Sequence, residues 1–353
     1  MFSKLHKTLI ISLLLISILI TGCSGGQSTE APAAGGDVKL ILAAYTTPRE
    51  AYRELIPIFQ QQWKEKTGQT VVFEESYQGS GAQSRAVAEG FEADIVALSL
   101  EADVIRLEDA GLITHDWRSQ PFGGIVSTSV VAFAVREGNP KNIQDWSDLA
   151  QPDLEILTPN PKTSGGAMWN ILALYGAAQR GHVTGFTADD TGAQELLLYV
   201  LQNVTVMDKS ARDSIVNFEK GVGDVAITYE NEVLVGQQAG QTYQLVLPTS
   251  TVQIDNPIAI VDTYADKHGI REIAEAFIDF LFTAEAQQIF AKHGLRSPDP
   301  EVAQVTAEQY PPIEDLFTIA DFGGWKEATP KYFGDEGIFY KVFAQVQGIQ
   351  ISE

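Results

Sequence analysis

The chain has 353 residues, of which 44% are apolar, 20% are charged and 9% are aromatic, a balance that excludes a disordered protein and favours two globular lobes of ordinary size. Its 24 Lys and Arg against 46 Asp and Glu give a formal net charge of −22, so we expect no basic stripe for a nucleic acid. One cysteine and five widely separated histidines exclude an intrachain disulfide and a local metal-binding motif, and we expect no cofactor.

The first 22 residues have the pattern of an export signal. Two lysines precede an apolar run at residues 9–20, which is too short to span a bilayer comfortably. The segment Ile20-Thr21-Gly22-Cys23 resembles a bacterial lipobox, which predicts cleavage before Cys23 and a diacylglycerol group on its thiol. Residues 23–37 are rich in Gly, Ser, Ala and Pro and are typical of a flexible tether, so we expect a protein held at a membrane surface. The alternative is an ordinary secretory signal followed by an incidental cysteine.

From residue 38 onward, short β-branched runs alternate with helix-like segments, which predicts α/β lobes with largely parallel sheets. In chain order, the predicted strands are residues 40–44, 71–74, 95–98, 130–135, 155–157, 204–207, 225–228, 245–247 and 258–261. The segment Thr47-Pro48-Arg49-Glu50 predicts a capping box for the first helix, with Pro48 in its first position.

Two extended stretches, residues 127–135 and 247–259, are candidates for connections between lobes. Lobe I would then comprise residues 38–127 and 252–353, and lobe II residues 128–251. Periodicity alone does not distinguish such a crossover strand from an ordinary one.

Several predicted strands run into clusters of Gly, Ser and Thr that open helices. Such a cluster leaves backbone N–H groups without partners at the carboxyl edge of a sheet, where the helix dipole favours an anion. The four clusters are Tyr45-Thr46-Thr47 and residues 79–83, 158–167 and 208–213. Ser164 and Ser210 are the predicted N-caps within the last two. One cluster alone is more often an ordinary helix start, but four in two lobes predict a small-anion site in the cleft.

These residues resemble the sulfate-binding proteins, which are receptors of sulfate and thiosulfate ABC importers. The resemblance covers residues 38–343 and rests on residues 45–50, 79–81, 92–98, 158–170, 221–232 and 322–325, with 159–170 the most specific block. It implies a two-lobed α/β fold of the periplasmic-binding-protein type II class, in which two crossover strands join lobes that close on desolvated sulfate. It also implies a monomer without enzymatic activity, whose partners are a membrane permease and its ATPase subunits.

The resemblance implies a site built only from neutral hydrogen-bond donors. The implied ligand-binding residues are Thr46, Ser80, Ser164, Gly165, Gly166, Ala211 and Tyr229. Tyr229 stands where the family has a tryptophan, and its phenol either donates one hydrogen bond or only lines the cleft. Thr46 and Met168 stand where relatives commonly have an acid and an arginine; the first change should be tolerated because the implied Thr46 donor is backbone.

A site of donors favours sulfate over phosphate, because sulfate carries no proton at neutral pH and phosphate keeps one that a carboxylate can accept. Asp208 and Asp213 are close to Ala211 in sequence, and either carboxylate in the cleft would favour phosphate; we expect both to face away. Molybdate and tungstate also present only acceptors, so another oxyanion receptor is one alternative and a surface sensor without a transporter is another. Enzyme motifs such as a Gly-x-Ser-x-Gly elbow or a P-loop lysine are missing from the sequence.

Overall fold

A computed structural model of the protein describes residues 37–348. The predicted export signal, Cys23 and nearly all of the predicted tether lie outside the described residues. No helix within residues 37–348 combines the length and apolar character needed to cross a membrane.

The strands and helices alternate along the chain. The strands are β1 Val38–Tyr45, β2 Val71–Gln78, β3 Ile95–Ala97, β4 Ile125–Val135, β5 Ile156–Pro159, β6 Val204–Asp208, β7 Val225–Tyr229, β8 Gln244–Val246, β9 Ser250–Ile260 and β10 Asp315–Phe317. The α-helices are α1 Arg49–Thr67, α2 Ser80–Ala88, α3 Glu101–Asp109, α4 Gly165–Gln179, α5 Asp190–Gln202, α6 Ala211–Glu219, α7 Glu230–Gln238, α8 Asp262–His268, α9 Arg271–Leu281, α10 Ala284–Lys292, α11 Pro300–Thr306, α12 Trp325–Ala328 and α13 Ile338–Val346.

All nine predicted strands overlap an observed strand, and the α/β class is confirmed. The predicted capping box is wrong, because α1 begins at Arg49, one residue later than expected, and has no side-chain cap hydrogen bond at its start. Pro48 therefore precedes the helix instead of occupying its first position.

The sheet has the strand order β2-β1-β3-β9-β4-β7-β5-β6. Strand β1 is parallel to β2 and β3, which we name the first strand group, and β5 is parallel to β6 and β7, the second strand group. The two long strands β4 and β9 are antiparallel partners; the far end of β4 pairs with β7, and the far end of β9 pairs with β3. The two predicted crossover stretches therefore correspond to strands that join the two groups, and the exact lobe boundaries stay a prediction.

Helix α4 is enclosed by the second strand group and its neighbours. Every residue from Gly165 to Ala178 is buried, which is why the sequence shows no amphipathic stripe there. The indole of Trp169 donates to the Ser99 carbonyl at 2.9 Å and lies edge-to-face against Trp325 at 4.7 Å. The first turn of α4 is consequently held in a fixed position by packing on all sides.

Candidate anion-binding site

Three of the four clusters predicted from the sequence contact one another directly. A Cβ atom on Gly79 would lie 2.5 Å from the Thr163 carbonyl oxygen and 2.6 Å from that of Lys209, so only glycine fits between these two loops. The Ala82 N–H donates to the Thr163 carbonyl at 3.0 Å, and the Thr163 hydroxyl donates to the Lys209 carbonyl at 2.9 Å. The carboxyl ends of β2, β5 and β6 therefore meet at one place.

The remaining cluster, Tyr45-Thr46-Thr47, is joined to the cluster at residues 208–213 by Arg212. Its guanidinium donates two hydrogen bonds to the Glu50 carboxylate, at 2.7 and 2.8 Å, and a third to Glu232 at 2.6 Å. A longer contact of 3.4 Å reaches the Thr47 carbonyl. Burial acts to raise the pKa of Glu50, but the bonds from Arg212 outweigh it and hold that pKa below its ordinary value. For the fully buried Glu232, burial dominates and raises the pKa.

Ser80, at the start of α2, is buried between two polar partners. Its hydroxyl donates to the Asp103 carboxylate at 2.6 Å and accepts from the Ser99 N–H at 2.9 Å. Asp103 also accepts from Arg106 at 2.6 Å. A serine hydroxyl has one proton, so Ser80 can donate to a ligand only after that proton turns away from Asp103.

The start of α4 presents backbone donors. Ser164 occupies the N-cap position of α4 as predicted, but its side chain makes no capping hydrogen bond; its own N–H donates to the Asn160 carbonyl at 2.9 Å. The first-turn N–H groups of Gly165 and Gly166 have no intrahelical acceptor, and within residues 37–348 they have no other protein acceptor either. Two adjacent amide donors thus point out of a buried helix N-terminus.

Tyr229 covers this pair of glycines. A Cβ atom on Gly166 would lie 2.6 Å from Cε2 of Tyr229, and one on Gly165 would lie 2.7 Å from the Ser99 hydroxyl oxygen. The Tyr229 and Ser99 hydroxyl oxygens are 2.6 Å apart. Burial raises the pKa of the Tyr229 phenol, so it keeps its proton at neutral pH. Ser99 belongs to none of the four clusters, although its position two residues after β3 places it at the same sheet edge.

The remaining predicted ligand-binding residues are Thr46, directly after β1, and Ala211, at the start of α6. Thr46 borders a cavity of 300 Å³ whose other walls include Gly79, Thr163 and Ser210. Ser210 caps α6 as predicted: its hydroxyl oxygen accepts from the Asp213 N–H at 3.1 Å. Ala211, the first residue of α6, has a backbone N–H that lacks an acceptor among the described residues.

The two acids near Ala211 have different surroundings. Asp208 accepts from Ser214 at 2.9 Å and from Asn217 at 2.6 Å, so its carboxylate is engaged by α6. Asp213 accepts from the Ser210 hydroxyl at 2.8 Å but is also part of the cavity wall. The expectation that both acids face away therefore does not fit Asp213, because the hydrogen bond from the Ser210 hydroxyl holds its carboxylate at the N-terminus of α6, beside the cavity.

Known proteins that are similar to this chain include sulfate-binding and thiosulfate-binding proteins. A family model described as bacterial extracellular solute-binding protein matches residues 40–296. The chain is 46% identical over 333 residues to a sulfate-binding protein of Synechococcus elongatus, with 94% of each chain covered. It is 35% identical over 338 residues to a thiosulfate-binding protein of Escherichia coli, covering 94% of this chain and 95% of that relative. The solved structure of the sulfate-binding protein SubI from Mycobacterium tuberculosis is similar with a TM-score of 0.76 and 38% identity, covering 84% of this chain and 99% of that one.

Proposed function

Because the chain belongs to the bacterial extracellular solute-binding protein family, among its sulfate-binding members, we propose that it is a receptor that binds sulfate and delivers it to an ABC importer. Thiosulfate is a second candidate ligand, favoured by the similarity to a thiosulfate-binding protein. The observation that carries the proposal is the buried start of α4: within residues 37–348 the N–H groups of Gly165 and Gly166 have no protein acceptor, and Gly165 packs against Ser99 in the loop after β3.

The proposed ligand contacts are donors from both strand groups. They are the backbone N–H groups of Thr46, Gly165, Gly166 and Ala211 and the side chains of Ser80, Ser164 and Tyr229. The Ser164 N–H is engaged by Asn160, so for this residue only the hydroxyl remains a proposed contact. Amide and hydroxyl dipoles at contact distance outweigh the chain's diffuse negative charge, which is screened beyond about 8 Å at physiological ionic strength.

The surroundings of the donors favour an anion without protons. Asp103 accepts from Arg106, and Asp213 accepts from Ser210, so each nearby carboxylate keeps a partner other than a ligand even when the Ser80 proton turns toward the ligand. A ligand such as sulfate, which offers only acceptor oxygens, then matches the unpaired N–H groups. Phosphate, molybdate and tungstate are the competing oxyanions, and a receptor for one of them is the second candidate function.

Closure of the two lobes would signal to the importer that the ligand is bound. Several hydrogen bonds already cross between the strand groups or their helices, among them Ala82 to Thr163, Arg85 to the Lys162 carbonyl at 2.7 Å, Trp169 to Ser99, and Arg212 to Glu50. A ligand that bonds to both lobes stabilises the closed form in preference to an open form. The permease would recognise that closed form.

The place of action follows from the family and the amino terminus. Extracellular solute-binding proteins act outside the cytoplasm, and lipid attached to Cys23 would keep this receptor at the membrane beside its permease. Calorimetric titration of the purified protein with sulfate tests the ligand directly. One-to-one sulfate binding supports the proposal, and a protein that binds none of the oxyanions contradicts it.

A further inference from the structure

Ser99 lies at the centre of the proposed site and contacts three of its residues. Its N–H donates to the Ser80 hydroxyl oxygen at 2.9 Å, and its own hydroxyl lies 2.6 Å from that of Tyr229. The Ser99 hydroxyl also sits against the Cα atom of Gly165, since a Cβ there would be only 2.7 Å away. Ser99 is therefore in contact with both strand groups.

The backbone around Ser99 is fixed from the opposite side. Its carbonyl oxygen accepts from the Trp169 indole at 2.9 Å and from the Asn256 amide at 3.2 Å. Trp169 belongs to the buried helix α4 and Asn256 to the crossover strand β9, so two separate elements hold the Ser99 carbonyl. Only 1% of Ser99 and 1% of Tyr229 is exposed to solvent, which keeps water from replacing the bond between their hydroxyls.

The two hydroxyls carry two protons, and the hydrogen bond between them uses only one. Whichever hydroxyl donates, the other keeps a proton that has no further protein acceptor within residues 37–348. A buried hydroxyl proton without an acceptor is unfavourable, so a nearby acceptor oxygen would be stabilised. The Ser99 and Tyr229 hydroxyls lie against the Cβ positions of Gly165 and Gly166, and the N–H groups of these two glycines also have no protein acceptor within residues 37–348.

We propose that Ser99 and Tyr229 act together as a single hydrogen-bond donor to the bound oxyanion, which makes Ser99 a specificity-determining residue of the site. This inference rests on the proposed function. The pair supplies one donor in either orientation of its internal hydrogen bond, and it is charge-neutral because the phenol stays protonated. A dianion that offers only acceptor oxygens, such as sulfate, can accept this hydrogen bond from the pair.

The test is a double-mutant cycle on the full chain, with sulfate affinity measured by calorimetry at neutral pH. The variants are Ser99→Ala, Tyr229→Phe and the two combined, with Ser99→Thr as the conservative replacement that keeps a hydroxyl. At least one single variant should bind sulfate about 5-fold or more weakly, the double variant should lose less than the product of the two single losses, and Ser99→Thr should stay within about 3-fold of the parent.

A matched control is Ser214→Ala, which removes a fully buried hydroxyl bonded to Asp208 and away from the glycine pair. Thermal unfolding without sulfate shows whether each variant is folded. Sulfate affinity equal to that of the parent in both folded single variants, or losses that simply multiply, would overturn the donor pair and leave the receptor function intact. A parent chain that binds no sulfate would instead overturn the proposed function itself.

Discussion

Adding one methyl group at Gly166 should weaken ligand binding by a predictable amount. The new Cβ of Gly166→Ala would lie 2.6 Å from Cε2 and 3.2 Å from the hydroxyl oxygen of Tyr229. Ordinary contact begins near 3.4 Å, so the ring or the helix start must move by about 0.8 Å, the difference between 3.4 and 2.6 Å. Tyr229 is buried and tied to Ser99, so it has little room to yield. Overpacking of this kind costs about 1–3 kcal/mol.

If that cost falls on the closed, ligand-bound form, sulfate affinity should drop by about 5- to 150-fold at 25 °C. Titration calorimetry measures the affinity, and thermal unfolding without ligand measures how much of the strain is already present in the free protein. Gly81→Ala is the matched control, because a Cβ there meets its nearest atoms at 3.4 Å, and its affinity should stay within about 3-fold of the parent. Equal affinities for the two variants and the parent would refute the placement of Gly166 and Tyr229 at the ligand.

Four further predictions concern Ser80, Glu50, Asp315 and Cys23. Ser80→Ala should weaken sulfate binding by about 1–3 kcal/mol, because it removes one proposed donor; calorimetry that finds the parent affinity would remove Ser80 from the site. Glu50→Gln should weaken sulfate binding several-fold by loosening the contact of Arg212 across the cleft, and small-angle scattering should show a larger radius of gyration in the free variant. The carboxylate of Asp315 has a pKa lowered to about 2, first by its bond from Arg180. Since its folded pKa lies below the ordinary value of 3.8, its contribution of about 2 kcal/mol to the free energy of unfolding is present above pH 4 and is lost as the pH falls through 2. Acid unfolding of the parent and of Asp315→Asn should converge at low pH, and an unchanged gap at pH 2 would contradict this. Cys23→Ser should move the protein from the membrane fraction to the soluble fraction of the producing cell, and a variant that stays in the membrane fraction would contradict lipid attachment at Cys23.

The strands could be predicted because β-branched runs bounded by turn residues are local signals. The same local reasoning placed Gly79, Gly165 and Ala211 at the carboxyl ends of strands, and parallel strands bring such ends to one edge. That is why the four clusters could be expected to meet before their contacts were known.

The helix caps were harder to predict. Ser210 caps α6 through the Asp213 N–H as its position suggests, whereas Ser164 lies in an equivalent position and does not cap α4. The backbone turn that joins the Ser164 N–H to Asn160 orients this residue differently, and a sequence pattern does not show that turn. The prediction that Thr47 caps α1 is also wrong, because α1 starts after Pro48.

Contacts across the cleft could not be predicted. Arg212 and Glu50 are 162 residues apart, and Ser99 and Tyr229 are 130 residues apart. Neither pair forms a spacing motif, so only the three-dimensional fold brings them together. Ser99 is also flanked by Leu98 and Leu100, so it does not belong to a cluster of small polar residues.

The most direct test of the central claim is a side-by-side calorimetric titration of the purified protein with sulfate, thiosulfate, phosphate and molybdate at neutral pH. A site built from unpaired N–H and hydroxyl donors predicts one-to-one sulfate binding, with a Kd of about 1 μM or lower, and much weaker phosphate binding. Preference for phosphate would contradict the account, because it would mean that a carboxylate such as Asp213 accepts a hydrogen bond from the protonated ligand.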